Sequence, residues 1–188
     1  MNVAITGNIG SGKSSFCSYL EELGCTVHYA DLIANDMLPQ IADILKKRWG
    51  DDVFYGSVAN RQRIAQIVFD RPQELEFLNA NLHPLVVAEI DRILAKTHIK
   101  PGYFEIPLLF EANLQDRFDF IVLVRSPIEL VADRLKLRNP DNWENQIKRL
   151  ERQIPDSQKA ALVDLIIEND ASTDKLRKAA RDLVEELD

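Results

Sequence analysis

Apolar residues along the chain fall into two patterns: short contiguous runs, and runs spaced three or four residues apart. Val3-Ala4-Ile5-Thr6 is a contiguous run closed by Gly7, which predicts a buried strand. Phe16, Cys17, Leu20 and Leu23 then follow helical spacing, and Gly24 stands where a helix would end. Thr26-Val27-His28-Tyr29 predicts a second, weaker strand. Helical patterns fill 32–49, 61–69 and 84–95. The last of these sets Val86, Val87, Ile90, Ile93 and Leu94 on one face, with His83-Pro84 as its start and Pro84 in the first helical position. Tyr103 to Ile106 is a strand between a Pro101-Gly102 turn and Pro107. Phe118 to Val124 is the strongest strand in the chain. Ser126-Pro127-Ile128-Glu129 follows it and has the composition of a capping box with proline in the first turn. Leu162 to Ile167 is the last strand. A final helix from near Ser172 is expected to bury Leu176, Ala180, Leu183 and Leu187.

Five strands separated by helical stretches predict an α/β fold, a five-stranded parallel sheet with helices on both faces. Residues 50–100 read as mostly helical and suit a cap beside that sheet. The length of 188 residues fits one folding unit with a small subdomain. Apolar residues make up 46% and charged residues 28%, which excludes collagen-like, disulfide-scaffold and wholly disordered classes. No apolar run is long enough to span a bilayer. The first residues lack a basic region and a small-residue cleavage site, and Cys17 and Cys25 form no metal or CxxC spacing. A cytoplasmic protein is therefore expected.

The net charge of −7 argues against general attraction to nucleic acid or an anionic membrane, but an anionic small ligand needs only a local patch. One candidate lies between Arg134 and Arg152, where Arg134, Lys136, Arg138, Lys148, Arg149 and Arg152 stand against Asp141, Glu144 and Glu151. Arg134 and Arg138 share a helix face, and Arg149 and Arg152 form a similar pair. Guanidinium groups on a flap would suit the charge of a phosphoryl group in transfer. A solvated helix face is the plain alternative.

The sharpest chemical signal is Gly7-Asn8-Ile9-Gly10-Ser11-Gly12-Lys13-Ser14, which fits GxxxxGK[ST] and lies between a strand and a helix. Its glycines let successive backbone N–H groups turn inward onto phosphate oxygens, and the helix N-terminus adds partial positive charge. Asn8, Ile9, Gly10, Ser11, Gly12, Lys13, Ser14 and Ser15 are the expected nucleotide contacts. Lys13 can reach the β- and γ-phosphates, and the Ser14 hydroxyl can ligate Mg²⁺. The reading is a nucleoside triphosphate site. No Asn-Lys-x-Asp guanine motif is present.

Asp31, just after the second strand, either holds an acceptor hydroxyl in line or caps a helix. Glu105 and Glu111 read either as groups around Mg²⁺ or the acceptor, or as an ordinary strand and loop. Asn169-Asp170-Ala171-Ser172 offers either a nucleobase edge or a plain turn.

Taken together these segments resemble the dephospho-coenzyme A kinase family nearly end to end. Thr6-Gly7-Asn8-Ile9-Gly10-Ser11-Gly12-Lys13-Ser14 is similar to its TGGIGSGKS stretch, and Tyr29-Ala30-Asp31-Leu32-Ile33-Ala34 to its DADxIA segment. Ala59-Asn60-Arg61 followed by Ile67-Val68-Phe69 resembles LDR…VF, Leu82-His83-Pro84 its HP motif, and Pro107-Leu108-Leu109-Phe110-Glu111 its PLLFE motif. Arg134-Leu135 with Arg138, then Arg152-Gln153, match its RLxxR and later Gln positions. The resemblance implies a phosphate-loop kinase fold: a core of 1–30, 101–133 and 153–188, a helical acceptor-binding part over 31–100 and a lid over 134–152. It implies transfer of the ATP γ-phosphoryl group to the ribose 3′-hydroxyl of dephospho-coenzyme A.

Carried over by position, Asp31 is the acceptor base, and Lys13 and Arg138 stabilise the transferred charge. Arg134 and Asn169 join the nucleotide contacts, and Ser14 holds Mg²⁺. Asp31, His83, Leu108 and Glu111 line the acceptor site. The implied partners are ATP and dephospho-coenzyme A alone, on a monomer or weak oligomer. The departures are Tyr29 for the first Asp of DAD, Asn60 for Asp, Asn8 for Gly, and a short stretch between Asp36 and Trp49. Two rival readings are a small-molecule kinase for shikimate, gluconate or a nucleoside, and a non-catalytic ATP-responsive protein.

Overall fold

A computed structural model of the chain describes every residue except Asp70, 97–100, Asn139, Asp141, Asn142, Ala171 and Asp188. In chain order its elements begin with β1 (Asn2–Thr6), α1 (Lys13–Glu22), β2 (Val27–Tyr29), α2 (Ala30–Met37) and α3 (Ala42–Trp49). A short hairpin of β3 (Phe54–Tyr55) and β4 (Val58–Ala59) is followed by α4 (Arg61–Val68) and α5 (Pro72–Leu94). Then come β5 (Gly102–Glu105), β6 (Phe120–Arg125), α6 (Ile128–Arg138) and α7 (Trp143–Glu151). The chain closes with α8 (Asp156–Lys159), β7 (Leu165–Glu168) and α9 (Thr173–Leu187). Two compact units result, one of Met1–Tyr29 with Lys96–Asp188 and one of Ala30–Ala95.

In the first unit the sheet has five strands in the order β2-β5-β1-β6-β7, every pair parallel. The apolar run of β1 is explained by its central place: Val3, Ala4 and Ile5 are sealed from solvent on both faces. Val3, Ile5, Tyr103, Val122 and Val124 form one core with Phe16 and Leu20 of α1 and Leu176, Ala180 and Leu183 of α9. Leu187 packs at its margin, half-buried. The thiols are where their chemistry suggests, Cys17 within that core and Cys25 at its edge. His28, Phe104 and Phe118 form a separate ring series, with centroids 4.8 and 5.4 Å apart. Ile5 and Tyr29 flank Glu105 in register, so three strands end in one row.

The second unit has its own core of Leu38, Ile41, Leu45, Val53, Phe54, Ile64 and Ile67, against which Phe77, Leu78, Leu82 and Leu85 of α5 pack. That packing corrects the expectation at His83-Pro84. The helix begins at Pro72, and Pro84 lies inside it. An interior proline costs a backbone hydrogen bond, but the apolar residues on either side hold both halves of α5 on one core. The region 50–100, read as mostly helical, also contains the β3–β4 hairpin, turned by Gly56 in a left-handed conformation. Strand limits shift too: β6 starts at Phe120 and β7 at Leu165, after a 3-10 turn over Ala160–Leu162.

One polar cluster ties α3 to α5. Glu74 accepts from Arg48 at 2.8 and 2.9 Å and from Trp49 Nε1 at 2.6 Å. Arg48 in turn lies over the Phe77 ring at 4.4 Å. These donors, Arg48 first, hold the Glu74 carboxyl down to about 2. A carboxyl depressed on folding contributes stability above its unfolded value near 4.5, and that contribution is lost as pH falls toward 2. Acid unfolding followed by circular dichroism should therefore be less steep in Glu74→Gln than in the wild type over that window. Equal slopes would show that the cluster carries no acid sensitivity.

Candidate active site

The loop from Gly7 to Gly12 runs from the carboxyl end of β1 to the start of α1. Gly7 and Gly12 hold φ of 141° and 97°. A Cβ on Gly7 would meet Val124 O at 2.0 Å, and one on Gly12 would meet Asn169 Nδ2 at 2.1 Å. The glycines are thus required by close approach as well as by backbone freedom. Ser11 N–H donates to Asn8 O at 3.1 Å, tightening the turn, and Phe16 N–H to Gly12 O at 3.0 Å opens the helix.

Lys13 is only 7% exposed and donates to Asn8 O at 3.0 Å. Burial pushes its ammonium below the ordinary lysine range, Lys159 adds to that, and Glu105 opposes it. Ser14 Oγ donates to Glu105 Oε1 at 3.1 Å. A hydroxyl and a carboxylate in contact beside a phosphate loop are the hard oxygen donors that suit Mg²⁺, which keeps most of its shell as water and phosphate oxygen. No cluster of three His, Cys, Asp or Glu able to hold a metal occurs among the described residues. Ser15 is exposed on the first turn of α1.

Asn169 is no plain turn residue. Its Nδ2 donates to Ser11 O at 2.8 Å, while Arg134 donates to its backbone O at 3.1 Å and to Oδ1 at 3.4 Å. Ser126 Oγ donates to the same backbone O at 2.8 Å and accepts from Arg134 at 2.9 Å. This hydroxyl, expected as a helix cap, joins the end of β6 to β7 and α6. Ala171, in the same turn, lies outside the described residues. Arg134 and Arg138 thus differ: Arg134 is docked, Arg138 exposed on the last turn of α6. Arg152 lies one residue beyond α7 and not on it. Lys136 sits over the Trp143 ring at 4.6 Å, joining α6 to α7. Asn139, Asp141 and Asn142, within the expected lid, lie outside the described residues.

In the Pro107–Glu111 stretch, Leu109 and Phe110 are core residues, whereas Leu108 is 50% exposed. Glu111 is not a solvated loop residue: its Oε1 accepts from Ile154 N–H at 2.9 Å and pairs with Lys159 at 3.1 Å. In the second unit Asp31 is an exposed residue inside α2, which begins at Ala30, so it is not the cap of that helix. Its backbone O accepts from Asn35 at 2.6 Å. His83 is exposed mid-way along α5, and α2 packs against α5.

Sequence reasoning missed Asp156 and Lys159. Lys159 Nζ donates to Asn8 Oδ1 at 2.9 Å, and the Asp156 carboxylate lies beside Asn8 N–H. Gln153, singled out only as a motif position, accepts from Ile9 N–H at 2.9 Å. The one available signal was the spacing of an acid and a base three residues apart after Gln153.

A family model described as dephospho-CoA kinase matches residues 1–175. A dephospho-CoA kinase from Helicobacter pylori is 33% identical over 181 residues, covering 94% of this chain and 92% of that protein. A solved structure from Thermus thermophilus has a TM-score of 0.84 at 30% identity, covering 100% of this chain and 98% of that one. The structure of dephospho-CoA kinase from Campylobacter jejuni has a TM-score of 0.71 at 26% identity, covering 99% of this chain and 96% of that one.

The two kinds of glycine constraint can be separated. Gly24 has φ 86° but open space around a built Cβ, so Gly24→Ala should cost only the left-handed penalty of about 1–2 kcal/mol. Gly12→Ala adds the Asn169 collision and should cost clearly more in urea unfolding. Equal losses would mean that Asn169 yields freely.

Proposed function

The chain belongs to the dephospho-CoA kinase family, and from that premise we propose how its residues divide the work of that reaction. The enzyme phosphorylates dephospho-CoA with ATP, placing the γ-phosphoryl group on the ribose 3′-hydroxyl and releasing CoA and ADP, the last step of CoA biosynthesis. The observation that carries the assignment is the family match across 1–175, on a chain whose phosphate loop holds a buried Lys13 beside a Ser14–Glu105 pair. No helix among the described residues is long and apolar enough to cross a membrane, and the proposed place of work is the cytoplasm.

The nucleotide-binding core is 1–30, 101–133 and 153–188, the acceptor-binding part 31–100, and the lid 134–152. The loop from Asn8 to Ser15 holds the phosphates through the N–H groups of Gly10 and of Gly12 to Ser15, since those of Ile9 and Ser11 are taken by Gln153 and Asn8, with Arg134 and Asn169 fixing the loop from outside. Lys13 moves from the Asn8 carbonyl to the phosphoryl oxygens, where its charge matters most as the bond to ADP breaks. Ser14, with Glu105 behind it, is the protein's ligand for Mg²⁺, which neutralises phosphate charge when bound. Asp31 orients the acceptor hydroxyl and takes its proton as the new P–O bond forms. His83 and Leu108 contact the acceptor, and Arg138 meets the transferred group. Glu111 supports the loop that carries Leu108.

The deciding experiment is ADP release by purified protein with Mg-ATP, with and without dephospho-CoA, against shikimate and adenosine as controls. Stimulation by dephospho-CoA alone, with CoA as product, is expected; stimulation only by another hydroxyl compound would overturn the substrate. In the same assay Asp31→Asn should retain ATP binding by calorimetry and lose turnover by ~100-fold, the scale of a positioned general base. Turnover close to wild type would take Asp31 out of the mechanism.

A further inference from the structure

Asn8 is held on every side. Its Oδ1 accepts from Lys159 at 2.9 Å, its carbonyl accepts from Ser11 N–H and Lys13 Nζ, and its N–H lies beside the Asp156 carboxylate. One residue thus bridges two lysines, with Lys13 on the nucleotide side and Lys159 on the other. Lys159 is 0% exposed and paired with Glu111 Oε1 at 3.1 Å. An ammonium that cannot reach solvent is costly to bury, and well-packed apolar groups commonly serve stability as well or better. A purely structural role therefore explains the position poorly. The neighbouring contacts point the same way: Gln153 holds Ile9 N–H and Glu111 holds Ile154 N–H. Segment 153–159 grips the first half of the phosphate loop through Asn8 and Ile9.

We infer that Lys159 is a positioning residue for the phosphate loop, fixing Asn8 so that its carbonyl stations Lys13 and its turn presents the following N–H groups to phosphate. Lys159 itself touches no substrate. The inference rests on the family reading for its substrate, ATP, but not on the acceptor. It needs the side chain at Asn8, whose amide Oδ1 supplies a hold that a glycine there would lack.

The test is calorimetric binding of Mg-ADP, which needs no acceptor and so separates this inference from the assignment of dephospho-CoA. Lys159→Met should bind Mg-ADP about 10- to 100-fold more weakly at pH 7, the worth of hydrogen bonds to a charged group. Asn8→Ala should weaken binding in the same direction, and the double variant should lose little more than Lys159→Met alone. A merely structural lysine would lower the melting temperature of Lys159→Met and leave Mg-ADP affinity, and its coupling to Asn8, unmoved. Folded Lys159→Met with affinity within about two-fold of wild type overturns the inference. Should Lys159→Met fail to fold, Asn8→Ala decides: affinity within about two-fold overturns it, and a larger loss supports it.

Discussion

The rest of the molecule depends on how closely the loop from Gly7 to Gly12 lies against the ends of β6 and β7. Built Cβ atoms there would fall about 2 Å from Val124 O and Asn169 Nδ2, well inside any allowed contact. Because the loop sits this low, Asn169 can reach Ser11 O, and Arg134 can reach Asn169 and Ser126. The placement of α6 on the sheet is therefore tied to two positions that tolerate only hydrogen. The same seating buries Lys13, which makes its charge strong in the site and uncomfortable without a phosphate.

The parts of the fold that could be read from the sequence are those set by neighbouring residues. A GxxxxGK[ST] pattern works through backbone turns and one lysine, so its geometry is contained in eight consecutive positions. The buried central strands show because both their faces are apolar, and β1 needs no distant information. The long reach of α5 was hidden for the opposite reason. Pro84 marks a helix start by local rules, and only the packing of Phe77, Leu78 and Leu82 on a core assembled from α3, α4 and the hairpin overrides it. Lys159 and Asp156 were hidden likewise, since nothing near them in sequence says that residue 159 meets residue 8 across the core. Glu111 stood out by resemblance, but its use, bracing Ile154 and Lys159, is a property of tertiary contact.

The charge distribution resolves the apparent mismatch between an acidic protein and a polyanionic substrate. Lys13 and Lys159 are two buried ammonium groups on either side of Asn8, balanced by Glu105, Glu111 and Asp156. Burial pushes the Asp156 carboxyl upward, against the attraction of Lys159, Lys13 and Arg125. A carboxyl raised on folding opposes stability at neutral pH. The cluster is thus kept at a cost, which is reasonable where a loop must hold its shape before phosphate arrives.

Tyr29 shows how the site manages without the acid its family usually places there. It ends β2 in register with Glu105, and its hydroxyl lies near the Glu21 carboxylate of α1. Burial, then the neighbouring Glu21 carboxylate, drives the phenol far above its ordinary value, so it stays protonated at any working pH and takes no proton from an acceptor. Glu105 is engaged with Ser14. Asp31, two residues beyond Tyr29 and exposed on the first turn of α2, is the next carboxylate along the chain. Within the proposed mechanism the acceptor's proton therefore has one destination, and Tyr29 contributes shape, not charge, to the edge of the sheet.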